Sequence, residues 1–288
     1  MLSAPPAVAT AHVLLERYDV FLLDAYGVLV TSAGPIDGAR EFLHRLTDAG
    51  KQWFIATNDA SRSVATSARH YSGFGLPVDD TRLLTSGALL TGHFRREGLV
   101  GAPCVVLGTE DSRQYVRDAG GVVVEPDDDR ADVCVVCGVT DDPGAPHVAT
   151  INRLVSMLLR RVGNGRPMRF ILPNPDIVYP SDAGTFAVTA GAVAAMLEAV
   201  IALRDPEGAH RFEPLGKPHA PMFDEALARV EPVDRRRVVM VGDQFGTDIL
   251  GAVNAGIDSV LIETGIGQRA DLATAPARPT WVWKDLRT

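Results

Sequence analysis

Apolar runs that stop abruptly at a charged or polar group constrain this chain more than any other feature. Val20-Phe21-Leu22-Leu23 leads directly into Asp24-Ala25-Tyr26-Gly27. A short, uninterrupted apolar run of this kind reads as a buried strand. Gly27 can adopt backbone angles that other residues avoid, which allows a tight turn just past the strand. In open α/β sheets, ligands bind at the C-terminal ends of the strands. A carboxylate delivered there can act as a nucleophile, a metal ligand or both. It can also be a strand-end Asp that caps a turn.

A second run has the same design. Val238-Val239-Met240-Val241-Gly242 ends in Asp243-Gln244-Phe245-Gly246-Thr247-Asp248, and Ile249 to Gly256 reads as a helix with a glycine stop. Asp243 falls at the strand end and Asp248 near the helix start. Facing Asp24, they make an oxygen-rich site suited to a hard cation such as Mg²⁺. Without a cation, their mutual repulsion is costly. The plainer alternative is an acidic turn with a helix N-cap.

Two quieter segments fit the same edge. Gln52-Trp53-Phe54-Ile55-Ala56-Thr57-Asn58 reads as a strand ending in a hydroxyl and an amide, neutral groups able to hold phosphoryl oxygens. Leu215-Gly216-Lys217-Pro218 precedes an amphipathic helix with Met222, Phe223, Ala226, Leu227 and Val230. The only lysines are Lys51, Lys217 and Lys284, against many arginines, so a compact ammonium at Lys217 suggests a point-charge role. Taken separately, Thr57 reads as an ordinary strand-end residue and Lys217 as a solvated loop charge.

In this order the four segments resemble the four motifs of the haloacid dehalogenase superfamily of aspartate-nucleophile hydrolases. The resemblance extends over nearly the whole chain. A long insert separates the second and third motifs. It ends in Leu172-Pro173-Asn174-Pro175-Asp176-Ile177-Val178-Tyr179-Pro180, then Gly184, then Gly191 within a small-residue helix. That layout is similar to the subgroup with a large α/β cap after motif two, which includes nucleotide, phosphoglycolate and 4-nitrophenyl phosphate phosphatases. The resemblance implies an α/β fold: a doubly wound, Rossmann-like parallel-sheet core, residues 1–84 and 188–288, with an inserted α/β cap, residues 85–187. It also implies a Mg²⁺-dependent hydrolase of small phosphate esters. Asp24 would attack phosphorus. Asp24, the Tyr26 carbonyl, Asp243 and Asp248 would hold the metal. Thr57, Asn58 and Lys217 would hold the phosphoryl oxygens, the cap would select the substrate, and two copies would form a homodimer. Asn174 and Asp176 fit either the pocket edge or plain turn chemistry.

One position departs from the pattern. Superfamily phosphatases carry a second aspartate where this chain has Tyr26. A phenol, with its ordinary pKa near 10, is a poor base at neutral pH. The metal site is kept, and the acid/base step is weakened or altered. This leaves two alternatives open: a low-turnover metal- and phosphate-binding regulator, and a carbon–halogen hydrolase. The second is disfavoured because haloacid dehalogenases proper work without metal, lack the paired acids and place their cap after motif one.

Composition agrees with an ordinary two-domain enzyme. The chain has 288 residues, 46% hydrophobic and 22% charged. A net charge of −8 with no basic stripe argues against nucleic acid as a partner. No run reaches the ~20 apolar residues that span a bilayer. Three cysteines and an N-terminus without signal-peptide features point to a reducing cytoplasm. Cys134 and Cys137 have redox-motif spacing, but residues three apart in a strand face opposite ways, so a core role is expected.

The coarse element reading places strands near 18–24 and 52–57 and helices over 37–49, 61–74 with Ser61 as cap, and 86–96. The insert alternates strand 104–107, helix 110–119, strands 121–124 and 132–136, helix 146–162 and strand 169–172. The core resumes with helix 184–203, strand 260–263 and an edge strand at 281–283.

Overall fold

The computed structural model describes residues 6–138, 148–166, 168–180, 185–205 and 207–287. The main sheet has seven strands. In spatial order they are Ala7–Val8, Trp281–Trp283, Asp258–Ile262, Val238–Gly242, Val20–Leu23, Gln52–Thr57 and Leu83–Thr85, and every neighbouring pair is parallel. The two central strands, Val20–Leu23 and Val238–Gly242, are buried at every residue. Such strands are covered on both faces, which is why their sequences do not alternate.

Register sets the functional edge. Leu23 pairs with Val241 on one side and with Ile55 on the other. Asp24 therefore follows the last paired residue of the central strand, and its N–H donates to Val241 O at 2.9 Å. Chain order reverses between Val20–Leu23 and Val238–Gly242, so Asp24 and Asp243 flank the crevice where ligands bind in such sheets.

A second sheet has the order Glu213–Pro214, Arg169–Leu172, Val133–Val136, Pro103–Leu107 and Val122–Val124, again all parallel. One apolar layer joins the two sheets. Val20, Leu22, Ala56 and Met240 from the first share a cluster with Cys104, Val106, Val133, Val135 and Ile171 from the second. Between them lie Leu90 and Phe94 of helix Leu89–Arg96, Val116 of helix Glu110–Asp118, and Met222 and Phe223 of helix Ala220–Ala228. Helices Ala11–Arg17, Ala39–Asp48 and Val64–Gly73 cover the other face of the first sheet. Helices Val148–Gly163 and Ala190–Ile201 cover the far face of the second. Cys134 faces that outer layer and Cys137 the shared one, so the two thiols point apart, as strand geometry requires.

Three expectations shift. Residues expected to begin helix 184–203 instead form strand Phe186–Val188, antiparallel to Val178–Pro180, and the helix starts only at Ala190. Gly184 and the expected helix start at 146 lie outside the described residues. Helix Ala190–Ile201, read with the core, packs on the second sheet, and Glu213–Pro214 adds a strand to that sheet, so the chain returns to the first sheet after residue 214 rather than at 188. The cap of helix Val64–Gly73 is Ser63, whose hydroxyl accepts from Thr66 N at 3.2 Å, not Ser61. Among the described residues, no helix is long and apolar enough to cross a membrane.

Candidate active site

The strand ends converge as the motifs anticipate. Asp24, Asp243 and Asp248 are buried, and one oxygen from each lies within 4.8 Å of the others. The turn after Asp24 brings Gly27 against Asp243: Gly27 has φ +83°, and a Cβ there would sit 2.5 Å from Asp243 Oδ2. No other residue type fits that approach without displacing the carboxylate. A π-type turn over Phe245–Ile249 leads into helix Leu250–Ala255 and swings Asp248 back toward the strand end, where its Oδ2 accepts from Gln244 N at 3.1 Å. Such turns concentrate at functional sites. Gly256, in the left-handed conformation, ends the helix as the sequence indicates.

Lys217 reaches into this cluster with only 2% of its surface exposed. Its Nζ donates to Asp24 Oδ1 at 2.6 Å and lies 2.8 Å from Asp248 Oδ1. One ammonium therefore faces three carboxylates. Burial, reinforced by the Asp24 and Asp248 charges, holds the Asp243 carboxyl well above its usual range. Burial and Asp24 push Asp248 up to about 7, against the pull of Lys217. Burial alone would disfavour the Lys217 ammonium, but Asp24 and Asp248 more than offset it, and the lysine stays charged. Asp243 Oδ2 accepts from Ile266 N at 2.7 Å, whereas its Oδ1 is buried with no hydrogen-bond partner among the described residues. A buried carboxylate oxygen without a donor, among three acids with one counter-charge, is what a hard cation would satisfy.

The two motif-two residues divide in role. Thr57 Oγ1 accepts a long bond of 3.3 Å from Asp59 N, which leaves its hydroxyl proton free to donate. Asn58 differs from expectation because its side-chain amide is consumed within the protein. Its Oδ1 accepts from Lys217 N at 2.7 Å, and its Nδ2 donates to Lys217 O at 3.0 Å and Asp176 Oδ1 at 2.9 Å. Gly216 makes room for it: a Cβ there would collide with Asn58 Oδ1 and Pro173 O. Asn58 therefore holds the lysine's backbone, and its side chain is not free for a phosphoryl oxygen.

Tyr26 stands beside the acids, half-buried, with its ring edge-on to Tyr179 at 6.3 Å between centroids. Tyr179 belongs to the strand Val178–Pro180. Asp59, Arg62 and Tyr71 are neighbours of Tyr26 that none of the four motifs marks as site residues. Arg62 Nη1 lies 3.5 Å from Asp59 Oδ2. Burial works against the Arg62 charge, but Asp59 and the Tyr26 hydroxyl, within hydrogen-bonding reach, outweigh it. The loop carrying these residues is clasped by the second sheet's first helix. Ser112 Oγ donates to Ala60 O at 2.8 Å, Thr109 Oγ1 to Ser61 O, and Tyr115 OH to Arg62 O at 2.8 Å, while Asp111 Oδ2 accepts from Ser63 N at 2.8 Å.

Comparison with known proteins agrees with the geometry. The family model described as haloacid dehalogenase-like hydrolase matches residues 21–121, and a second, HAD-hydrolase-like model matches residues 214–288. The chain is 29% identical over 262 residues to a dihydroxyacetone phosphatase of Corynebacterium glutamicum (strain R), covering 91% of this chain and 87% of that one. It is 26% identical over 272 residues to an acid sugar phosphatase of Staphylococcus aureus (strain MRSA252), covering 94% and 96%. A crystal structure of a possible sugar phosphatase from Cytophaga hutchinsonii superposes with a TM-score of 0.81 at 28% identity over 98% of each chain. With family models matched at both ends of the chain and a similar fold over nearly its whole length, this chain belongs to the haloacid dehalogenase superfamily of hydrolases, in the subgroup with a large inserted α/β cap.

Proposed function

We propose that the protein is a Mg²⁺-dependent phosphatase that hydrolyses small phosphate esters through an aspartyl-phosphate at Asp24. The observation that carries this reading is the buried trio Asp24, Asp243 and Asp248, bridged on one side by Lys217 and with Asp243 Oδ1 lacking a donor among the described residues on the other. The relatives named dihydroxyacetone phosphatase and acid sugar phosphatase support a small phosphorylated substrate.

Asp24, the main-chain carbonyl of Tyr26, Asp243 and Asp248 would hold Mg²⁺, which when bound neutralises the acids and the phosphoryl charge. Lys217 fixes the Asp24 carboxylate through Oδ1 and adds positive charge beside the transferring group. A carboxylate oxygen of Asp24 forms a bond to phosphorus as the ester P–O bond breaks, and the electron pair leaves with the alcohol oxygen, which takes up a proton from solvent. Water then attacks phosphorus and gives up a proton to solvent as the Asp24 O–P bond breaks, releasing phosphate and restoring the Asp24 carboxylate. Thr57 donates its hydroxyl to a phosphoryl oxygen. The second sheet and its helices serve as the cap that selects the substrate, with Tyr179 and Tyr26 forming an aromatic wall beside the nucleophile.

Tyr26 favours a second reading, a binding protein with little turnover, because the usual carboxylic acid/base is missing there. A screen of phosphate esters, with Mg²⁺ and with EDTA, separates the two. The phosphatase reading requires phosphate release that EDTA abolishes. Mg²⁺ binding without release from any ester would support the regulator, and metal-independent halide release from a 2-haloacid would overturn both.

A further inference from the structure

The segment Pro173–Asp176 joins the last long strand of the second sheet to the hairpin beside Tyr26. In sequence it reads as turn chemistry, and its main chain is a turn: Asp176 N donates to Asn174 Oδ1 at 2.9 Å. Its carbonyl also accepts from Gly191 N at 2.9 Å and from Thr189 Oγ1. At the other end, Pro173 O accepts from Gly216 N at 2.9 Å, directly before Lys217. The turn is therefore fixed both to the start of helix Ala190–Ile201 and to the lysine loop. A residue serving only the turn could leave its carboxylate in water. The Asp176 carboxylate instead accepts from Asn58 Nδ2 at 2.9 Å.

That bond completes a set. The Asn58 amide has one acceptor oxygen facing the Lys217 N–H, and two N–H groups shared between Lys217 O and Asp176 Oδ1. An ionised carboxylate can only accept, so Asp176 specifies which end of the amide carries hydrogen and locks its plane. The plane in turn fixes the main chain of Lys217 on both sides of its Cα, and the side chain leaving that Cα ends between Asp24 and Asp248.

We infer that Asp176 is a positioning residue for the reaction: through Asn58 it holds the Lys217 backbone and so places the ammonium against the nucleophile. The segment that closes the inserted sheet thereby reports to the catalytic lysine. The kinetic part of this inference rests on the phosphatase reading; the structural part does not.

The test compares D176A, D176N and the double variant N58A/D176A. D176A removes a bond to a charged acceptor, so kcat on a phosphate ester should fall about 10–100-fold with KM changed less than about 3-fold. D176N keeps an acceptor oxygen at the same place and should recover most of that loss. Because both residues act through one bond, N58A/D176A should be no more than about 2-fold worse than N58A alone. Hydrogen exchange of the Lys217 amide, bonded to Asn58 Oδ1, should speed up about 10-fold in D176A and little in D176N. Wild-type kcat and exchange in D176A would overturn the inference. Equal damage from D176N and D176A, or additive losses in the double variant, would also overturn it. If D176A does not fold, D176S, which retains a turn-forming hydroxyl, carries the same measurements. If the wild type releases phosphate from no ester, the phosphatase reading fails alone, and the exchange experiment still decides the role of Asp176.

Discussion

The two sheets share one architecture and differ in what their strand ends carry. Both are all-parallel with buried central strands, and both have helices on each face. At the C-terminal edge of the first sheet stand Asp24, Asp243 and Thr57, with Asp243 Oδ1 left without a donor among the described residues. At the same edge of the second, Leu107, Val136 and Leu172 lead into Thr109, Cys137 and Asn174; Cys137 is buried in the shared apolar layer, and the other two spend their polar groups on structure. Thr109 holds Ser61 O, and Asn174 holds Asp176 N. The fold supplies the edge in both cases. What makes one edge a candidate for chemistry is buried charge left unbalanced there.

If that difference is real, the largest effect comes from the strand-end acid itself. Asp24→Asn keeps the shape and the bond from Lys217 but removes the nucleophilic charge. Phosphate release should fall by about 10⁴-fold or more, as removal of a nucleophile does. Assay of the purified variant on the best ester checks this, and residual activity near wild type would erase the distinction between the edges.

The second test concerns balance. Lys217→Met strips the only ammonium from three buried carboxylates. Activity should drop about 10²–10³-fold, and the metal-free protein should lose about 3–5 kcal/mol, the usual cost of leaving buried charge unpaired. Asp243→Asn should do the reverse to stability. It replaces a carboxyl whose charged form burial, Asp24 and Asp248 all disfavour, and its side-chain oxygen can still accept from Ile266 N, so denaturant melts in EDTA should show a gain even as Mg²⁺ dependence disappears. Denaturation of both variants in EDTA reads this directly. If Asp243→Asn is the less stable protein without metal, the acids are not in conflict.

The comparison also shows what sequence could and could not convey. The central strands were legible because their burial leaves an unbroken apolar signature, and Asp24, Asp243 and Asp248 because they interrupt it. Lys217 was legible as a rare residue type between Gly216 and Pro218. The actual task of Asn58 was not, since its partners Asp176 and Lys217 lie 118 and 159 positions away, and nothing local announces a bond over that distance. Strand Phe186–Val188 reads as helix in sequence because the small-residue run after it has helical character, and three residues are too few to show a period of two. The two-residue strand Glu213–Pro214 carries no periodicity at all, which is why the sequence alone sets the return to the first sheet too early.

A smaller effect is expected at Tyr26, the one departure at the charged edge. Tyr26→Asp should raise phosphate release from an alkyl ester by about 10-fold or more, since a positioned acid/base contributes about 10²–10⁴-fold when complete. An aryl ester, whose leaving group departs without a proton, should gain less in the first step. Steady-state kinetics of both forms on one ester of each kind measure the contrast. A slower Tyr26→Asp on both esters would mean that the phenol belongs to a different proton route.

The smallest effect tests the quiet edge. Cys134 and Cys137 have the spacing of a redox pair at a strand end of the second sheet, so reactivity there would give that edge a chemistry of its own. The structure argues otherwise. Cys134 lies in the outer apolar layer and Cys137 in the shared one, and burial pushes the thiols of Cys104 and Cys137 up to about 12 and that of Cys134 well above the ordinary range. At pH 8 a thiol with a pKa near 12 is ionised in roughly one molecule in ten thousand, and the thiolate is the reactive form. Iodoacetamide should therefore label the native protein more than about 10³-fold slower than a free cysteine, with full labelling after denaturation. Cys137→Ala should change phosphate release by less than about 2-fold, because the thiol packs among apolar side chains rather than among the acids. Rapid labelling of Cys134 or Cys137 in the native state, or a large loss of turnover in Cys137→Ala, would show that the second edge is not inert and that unbalanced charge is not what separates the two sheets.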